Sequence, residues 1–140
     1  MLPTVCRDGL ELDEKTVLII CEKPDAAARV ARALNEGGKA QERRLNGVPY
    51  YEAFRDGRRL VVVSALGHLY TVTPKIKDRE VYPVFEFYWA PRYEVERNSN
   101  QTRKWIEAIS RLSKEAHEYV LATDYDIEGC LLYTSPSPRD

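Results

Sequence analysis

The stretch YVLATDYDIEG, residues 119–129, begins as a short apolar run and ends in a turn with acids at alternate positions, Asp124, Asp126 and Glu128. We interpret the run as a buried strand of a parallel sheet, because ligands in such folds bind beyond the carboxyl ends of the strands. Three carboxylates this close repel one another, so a divalent cation or a basic partner is needed to hold them together. Carboxylate oxygens are hard ligands of the kind that Mg²⁺ prefers. The turn therefore predicts a magnesium site; a plain acidic surface turn is the alternative.

A second strand supplies a further acid. Residues 16–21 read TVLIIC, a run rich in β-branched side chains, and they are followed at once by Glu22, Lys23 and Pro24. The next residues, 26–34, favour a helix, and Gly37 and Gly38 are expected to stop it. Strand, charged turn and helix together open an α/β unit. If this strand lies beside the one before Asp124, Glu22 joins the other acids and four carboxylates converge.

The remaining elements follow from local signals. Strands are predicted at residues 41–45, 48–54 and 59–64, because Asn-Gly at 46–47 and Asp-Gly at 56–57 favour tight hairpin turns. The third of these strands is apolar enough to lie inside the main sheet. Residues 71–97 are predicted to form an ordered segment that crosses the surface of the domain and contains short strands. A helix is predicted after residue 100, because four apolar residues share one face: Trp105, Ile109, Leu112 and Ala116.

Composition limits the class of protein. The chain has 140 residues, 44% of them hydrophobic and 31% charged, which are the values of a single globular domain. No apolar stretch is long enough to span a bilayer, and no signal peptide is recognisable. Cys6, Cys21 and Cys130 are scattered and lack the spacing of a zinc site or a disulfide framework. These features predict a cytoplasmic protein in a reducing compartment.

The charge is unevenly distributed. The formal net charge is −1, yet residues 29–59 contain eight Lys and Arg against four acids, whereas residues 1–22 contain two against five. The basic half is a candidate for contact with phosphate, while the acids gather around metal. The alternative is that the basic residues form an ordinary solvated face.

Four motifs in this order resemble one known family. They are Glu22-Lys23-Pro24, ALGHL at 65–69, YPVFEFYWAP at 82–91 and Asp124-x-Asp126-x-Glu128-Gly129. Together they look like the Toprim domain of type IA DNA topoisomerases, most of all the archaeal and topoisomerase III-like members. The resemblance implies an α/β fold, with a Rossmann-like, mainly parallel sheet flanked by helices and a β-hairpin-rich insertion. It divides the chain into an arm at 1–15, the Toprim domain at 16–129 and a tail at 130–140.

The resemblance also implies roles for individual residues. Glu22 would be the catalytic general acid/base at the scissile phosphate. Asp124, Asp126 and Glu128, with Glu22, would hold Mg²⁺. Lys23 and His68 would contact DNA, although His68 is equally well explained as a structural histidine.

Whole-protein properties follow from the same resemblance. The partners would be a single-stranded DNA segment at the cleavage site and the remaining domains of a longer parent chain. In the family the attacking tyrosine belongs to a later domain, so this chain would be inactive alone. The parent would be an ATP-independent isomerase, cytoplasmic and associated with the nucleoid.

The chain departs from the family after Gly129. The family continues with another Glu and an amphipathic helix, but residues 130–140 read CLLYTSPSPRD, and Pro136 and Pro138 are incompatible with a helix. We interpret this tail as foreign sequence at a truncation point. Two alternatives to a topoisomerase stay open: another Toprim enzyme, such as a primase or nuclease, and a Mg²⁺- and DNA-binding module without activity of its own.

Overall fold

A five-stranded sheet forms the centre of the fold in a computed structural model, which describes residues 15–76, 83–97, 99–127 and 129–130. In chain order the elements are β1 (Val17–Cys21), α1 (Pro24–Leu34), β2 (Gln41–Leu45), β3 (Val48–Arg55), β4 (Arg58–Ser64), β5 (Tyr70–Pro74), β6 (Phe87–Pro91), α2 (Arg92–Val95), α3 (Asn100–Lys114) and β7 (Glu118–Ala122). The large sheet has the order β2-β3-β4-β1-β7. The predictions for the arm, for Glu128 and for the tail beyond Cys130 lie outside the described residues.

β1 is central because all five of its residues are buried. Leu18 and Ile20 face α3 and join the core that includes Ile109 and Leu112. The alternate residues of β1 face α1 and pack with Ala27 and Ala31. A continuous apolar run is what a strand covered on both faces requires, so the period-2 alternation of a one-sided strand is absent.

The hairpins form as the sequence predicts. Asn46 and Gly47 have φ values of 53° and 84°, and Asp56 and Gly57 have values of 51° and 72°. Positive φ at both central residues defines the tight turn whose twist matches that of antiparallel strands. The turns join β2 to β3 and β3 to β4, and both pairs are antiparallel.

The α/β prediction is confirmed, and the structure defines how the sheet is built. β1 is parallel to β4 on one side and to β7 on the other. The β2–β3 hairpin extends this parallel centre with antiparallel strands, so the sheet is mixed. α1 covers one face and α3 the other, as their two separate cores show.

β5 and β6 form a second, two-stranded antiparallel sheet. Thr73 and Ala90 are buried, whereas Phe87 and Tyr88 are exposed. This agrees with the predicted surface crossing of short strands. No helix among the described residues is both long and apolar enough to cross a membrane.

The burial of β7 corrects one prediction. The strand before Asp124 was expected to be buried, but Val120 is 44% exposed and Leu121 is 40% exposed. β7 is an edge strand, with no described strand on its outer side. An apolar run predicts a strand but does not show how many neighbours the strand has.

Candidate metal centre

The register of β1 and β7 brings the two acidic turns together. Cys21 is paired with Ala122 in parallel strands, so Glu22 and the residues after Ala122 leave the sheet side by side. One carboxylate oxygen from each of Glu22, Asp124 and Asp126 lies within 4.8 Å of the others. Three of the four predicted carboxylates therefore converge, and the fourth, Glu128, lies outside the described residues.

Glu22 is the unusual member of this group. Only 8% of the residue is exposed, and neither carboxylate oxygen accepts a hydrogen bond from the described residues. A buried carboxylate without hydrogen bonds is costly unless a cation compensates its charge. Asp124 and Asp126 are exposed, so the cluster is closed at Glu22 and open to solvent at the aspartates.

Lys23 supplies a positive charge to the cluster in this structure. Its Nζ lies 3.2 Å from Glu22 Oε1 and 3.9 Å from Asp124 Oδ2. The lysine side chain is itself 64% exposed, so solvent screens much of this attraction. Lys23 is the kind of basic partner that crowded carboxylates require, and it sits close enough to meet an anion that approaches the acids.

A backbone turn fixes the orientation of Asp126. Its Oδ1 accepts a hydrogen bond of 2.8 Å from the Gly129 N–H, and its carbonyl accepts one of 3.0 Å from the Cys130 N–H. Asp126 thus caps a helical turn with one carboxylate oxygen, in the manner of an N-cap aspartate. Its second oxygen is left for a ligand.

Gly129 allows this turn to close. A Cβ atom at this position would lie 2.1 Å from the Asp124 carbonyl oxygen and 3.0 Å from Thr123 Oγ1. The backbone of residue 129 therefore packs directly against the acidic turn. Sequence reasoning used Gly129 only as part of a motif and missed this role; a glycine at a fixed distance after the acids was the available signal.

His68 lies on the loop that follows β4, at the same edge of the sheet. The loop begins beside β1, because the Ala65 N–H donates a 2.7 Å hydrogen bond to the Cys21 carbonyl. Gly67 has a φ of 59°, which turns the chain before His68. His68 is exposed and is not one of the side chains that converge with Glu22.

The basic segment at 29–59 does not form one open cationic surface. Five of its eight basic residues form ion pairs with acids: Arg43, Arg44, Arg55, Arg58 and Arg59. The excess of positive charge in the sequence is thus partly compensated by neighbours, some of them distant in the chain.

The donor set fits a divalent cation. All three groups are carboxylates, one of them buried and without hydrogen bonds, so an ion would find hard oxygen ligands and an open side for water or substrate. The fold and this cluster define an α/β domain that presents acids for a cation at the carboxyl edge of parallel strands.

Comparison with known proteins identifies the family. A family model described as Toprim domain matches residues 17–134, and the chain belongs to this family. Relatives named DNA topoisomerase 1 are 48% identical over 118 residues in Methanocaldococcus jannaschii, 46% over 113 in Pyrococcus horikoshii and 39% over 114 in Aeropyrum pernix. These matches cover 84%, 81% and 81% of this chain but only 15%, 16% and 16% of the relatives. The resemblance drawn from the four motifs is confirmed, and the chain corresponds to about a sixth of the relatives' length.

Proposed function

We propose that this chain is the N-terminal Toprim part of a type IA DNA topoisomerase. In that enzyme it would supply Mg²⁺-binding acids and the general acid/base for cutting and rejoining one DNA strand. The observation that carries the proposal is the buried Glu22 carboxylate, which accepts no hydrogen bond from the described residues and lies next to Asp124 and Asp126. The name shared by the relatives favours a topoisomerase over a primase or a nuclease.

Glu22 would carry out the proton transfer in this proposal. A tyrosine from a later domain of the parent attacks the phosphorus of a phosphodiester, the bond to the 3′-oxygen breaks, and the tyrosine becomes joined to the 5′-phosphate. The departing 3′-oxygen needs a proton, and Glu22 would supply it and take it back when the strand is rejoined.

The aspartates would hold the metal and the neighbouring basic residues would contact DNA. Mg²⁺, when bound, would supply positive charge to the phosphate oxygens near the cut. Asp124 and Asp126 would be its exposed ligands and Glu22 its buried one, and Glu128 would complete the proposed set. Lys23 would pair with a DNA phosphate as a point charge, and His68 would reach one from the loop after β4.

The isolated chain is expected to be inactive, because the tyrosine that attacks DNA belongs to another part of the parent. Transesterification replaces the broken phosphodiester bond by a phosphotyrosine bond. Because the energy of the broken bond is conserved in this way, the parent would need no ATP. Its location would be that of its substrate, the nucleoid in the cytoplasm.

Glu22→Gln and Asp126→Asn in the full-length parent separate proton transfer from metal binding. Glu22→Gln keeps the shape of the side chain but cannot exchange a proton, so cleavage should fall by roughly 10² to 10⁴-fold at any Mg²⁺ concentration. Asp126→Asn should leave cleavage partly intact, raise the Mg²⁺ requirement and slow rejoining. The measurement is single-turnover cleavage of a labelled single-stranded oligonucleotide over a Mg²⁺ series.

Glu42→Gln, at an exposed position on β2, is the matched control and should cleave like the parent. If Glu22→Gln also cleaves like the parent and changes only the Mg²⁺ dependence, Glu22 is only a metal ligand and the proton-transfer role is wrong. Relaxation of supercoiled DNA by the 140-residue chain alone would contradict the proposed division of labour.

A further inference from the structure

A groove of about 350 Å³ opens on the face of the sheet that α3 covers, and it shares no lining residue with the acid cluster. It lies between the last turn of α3 and the β2–β3 hairpin, and its apolar lining is formed by Leu45, Leu112 and the half-buried ring of Tyr50. Arg59, which also lines it, stands near the start of β4, whereas the acid cluster lies beyond the ends of β1 and β7. Arg59 lies five residue steps before Ser64, about 16 Å along β4, whereas Tyr50 is paired with Val63 and is separated from the acids by lying on β3, two strands from β1.

The charged lining of the groove is mainly positive. Arg59, Arg111 and Lys114 contribute cations and Glu115 contributes one anion. Burial alone would lower the pKa of Arg59, but hydrogen bonds and charge from Glu52 and Glu115 outweigh it and raise the pKa above its ordinary value. Arg59 is therefore a fixed cation.

Ion pairs hold Arg59 in place. Arg59 Nη2 is hydrogen-bonded to Glu52 Oε1, and Arg59 Nη1 lies 3.3 Å from Glu115 Oε2. The other oxygen of Glu52 lies 2.7 Å from Arg43 Nε. This network joins the hairpin to the end of α3 along one wall of the groove.

Arg111 and Lys114 differ from Arg59, because neither forms an ion pair with any residue in the described part of the chain. Both are exposed on the last turn of α3. The helix dipole favours cations at this end, which accounts for basic residues there. The helix dipole does not explain why Arg111 and Lys114 line the same groove as Arg59 from β4, beside the ring of Tyr50.

We propose that this groove binds phosphate groups of a nucleic-acid backbone, as a second DNA contact separate from the acid cluster. Two exposed cations without acidic partners among the described residues provide the charge, the volume accommodates a phosphate with its sugar, and Tyr50 offers a ring on which a base can stack. The inference rests on the proposed function only in taking DNA as the polyanion. Because the groove needs no metal, it can be tested apart from the acids.

The test is binding of a fluorescein-labelled single-stranded oligonucleotide to the 140-residue chain, followed by anisotropy in EDTA over a salt series. Arg111→Ala/Lys114→Ala should bind about tenfold more weakly at 0.1 M salt, and the slope of log K against log salt should fall by about 1.4, the value for two lost contacts to single strands. Arg29→Ala/Arg32→Ala removes the same charge from exposed positions on α1, on the other face of the sheet, and should bind like the parent chain.

The acid cluster is kept out of this measurement. Because EDTA removes divalent cations, the oligonucleotide test does not depend on the metal proposal, so failure of the groove and failure of the metal proposal give different results. Unchanged binding by Arg111→Ala/Lys114→Ala would overturn the inference. An equal loss of affinity in this variant and in the α1 control, Arg29→Ala/Arg32→Ala, would also overturn it. Amide shifts at Tyr50 and Lys114 should respond to the oligonucleotide; a response to inorganic phosphate alone would show a small-anion site and overturn the assignment to DNA.

Discussion

At the scale of single residues, the candidate site depends on close approach. Gly129 lies against the Asp124 carbonyl, and its N–H fixes one oxygen of Asp126. Glu22, in contrast, is held by the end of a buried strand and accepts no hydrogen bond from the described residues. Three acids are thus positioned by backbone geometry rather than by bonds to one another.

Gly129→Ala should disturb the acidic turn. The added Cβ would lie 2.1 Å from a carbonyl oxygen, so the backbone must shift. We expect a loss of about 1–3 kcal/mol in the free energy of unfolding, as for other overpacked sites, and at least tenfold weaker Mg²⁺ binding. Urea denaturation and titration calorimetry measure the two effects.

Gly37→Ala is the matched control, because a Cβ there would meet only Asn35 Nδ2 at 3.5 Å. Its stability and Mg²⁺ affinity should equal those of the parent chain. Normal Mg²⁺ binding by Gly129→Ala would show that the turn tolerates the shift and that Gly129 has no part in placing the acids.

Cys21 should react slowly with thiol reagents in the folded protein. Its buried thiol should also make the free energy of unfolding depend on pH in alkaline solution. Burial raises the pKa of its thiol to about 11 from an ordinary value of 9.0. The unfolded thiol thus ionises first, so the native state should lose stability as pH rises from about 9 towards 11, with no effect of this group below that window. In a Cys6→Ser/Cys130→Ser background, thiol labelling at pH 8 should be slow and should require unfolding.

A Cys21→Ala change in the same background removes the group and serves as the comparison. The difference in unfolding free energy between the two proteins should shrink as pH rises through the window. A constant difference would mean that the buried thiol does not ionise on unfolding in that range.

At the scale of elements, β7 is an edge strand with exposed apolar side chains. Val120 and Leu121 lie on opposite faces of an edge strand and both are exposed. An apolar edge strand is a template for pairing with another chain. The acid cluster is therefore attached on one side to the well-packed β1 and on the other to a strand with a single partner.

Leu121→Lys should reduce self-association of the 140-residue chain. A charge on an edge strand opposes edge-to-edge pairing, and the position is already exposed, so stability should change little. Sedimentation velocity over a concentration series should show the parent chain associating and the variant remaining monomeric.

Lys104→Ala, which alters charge on α3 away from β7, should associate like the parent chain. Equal association of the parent and Leu121→Lys would show that β7 does not mediate contacts between copies.

At the scale of the whole molecule, the sheet joins two regions of opposite charge. The acids lie beyond the carboxyl ends of β1 and β7, and the basic groove lies on the α3 face beside β2 and β3. A ligand at the acids bridges β1 to β7 and so ties the edge strand to the centre. Metal binding should therefore increase the stability of the entire domain.

Mg²⁺ should raise the melting temperature of the chain. At a concentration ten times the dissociation constant, a ligand of the native state adds about 1.4 kcal/mol, which corresponds to roughly 3–6 °C for a domain of this size. Calorimetric scans with Mg²⁺ and with EDTA measure the shift. Asp124→Asn/Asp126→Asn should show none, whereas the exposed pair Glu42→Gln/Asp56→Asn should keep it. An equal shift in all three proteins would indicate a general salt effect and no site at the cluster.

The sequence by itself determined the elements and the chemistry of the candidate site. Three signals act over only a few residues, so they can be recognised in the sequence. They are the apolar run of β1, the Asn-Gly and Asp-Gly turns, and the acids at alternate positions. Four motifs in order also identified the family, which the match over residues 17–134 confirms.

Only the tertiary structure decided which elements are neighbours. Glu22 and Asp124 are about a hundred residues apart in sequence and meet because β1 pairs with β7. The exposure of β7, the closeness of Gly129 to Asp124 and the convergence of Arg59 with Arg111 and Lys114 likewise depend on packing between distant segments. The physical reason is that backbone propensity is set by nearest neighbours, whereas burial and the meeting of charges are set by the whole chain.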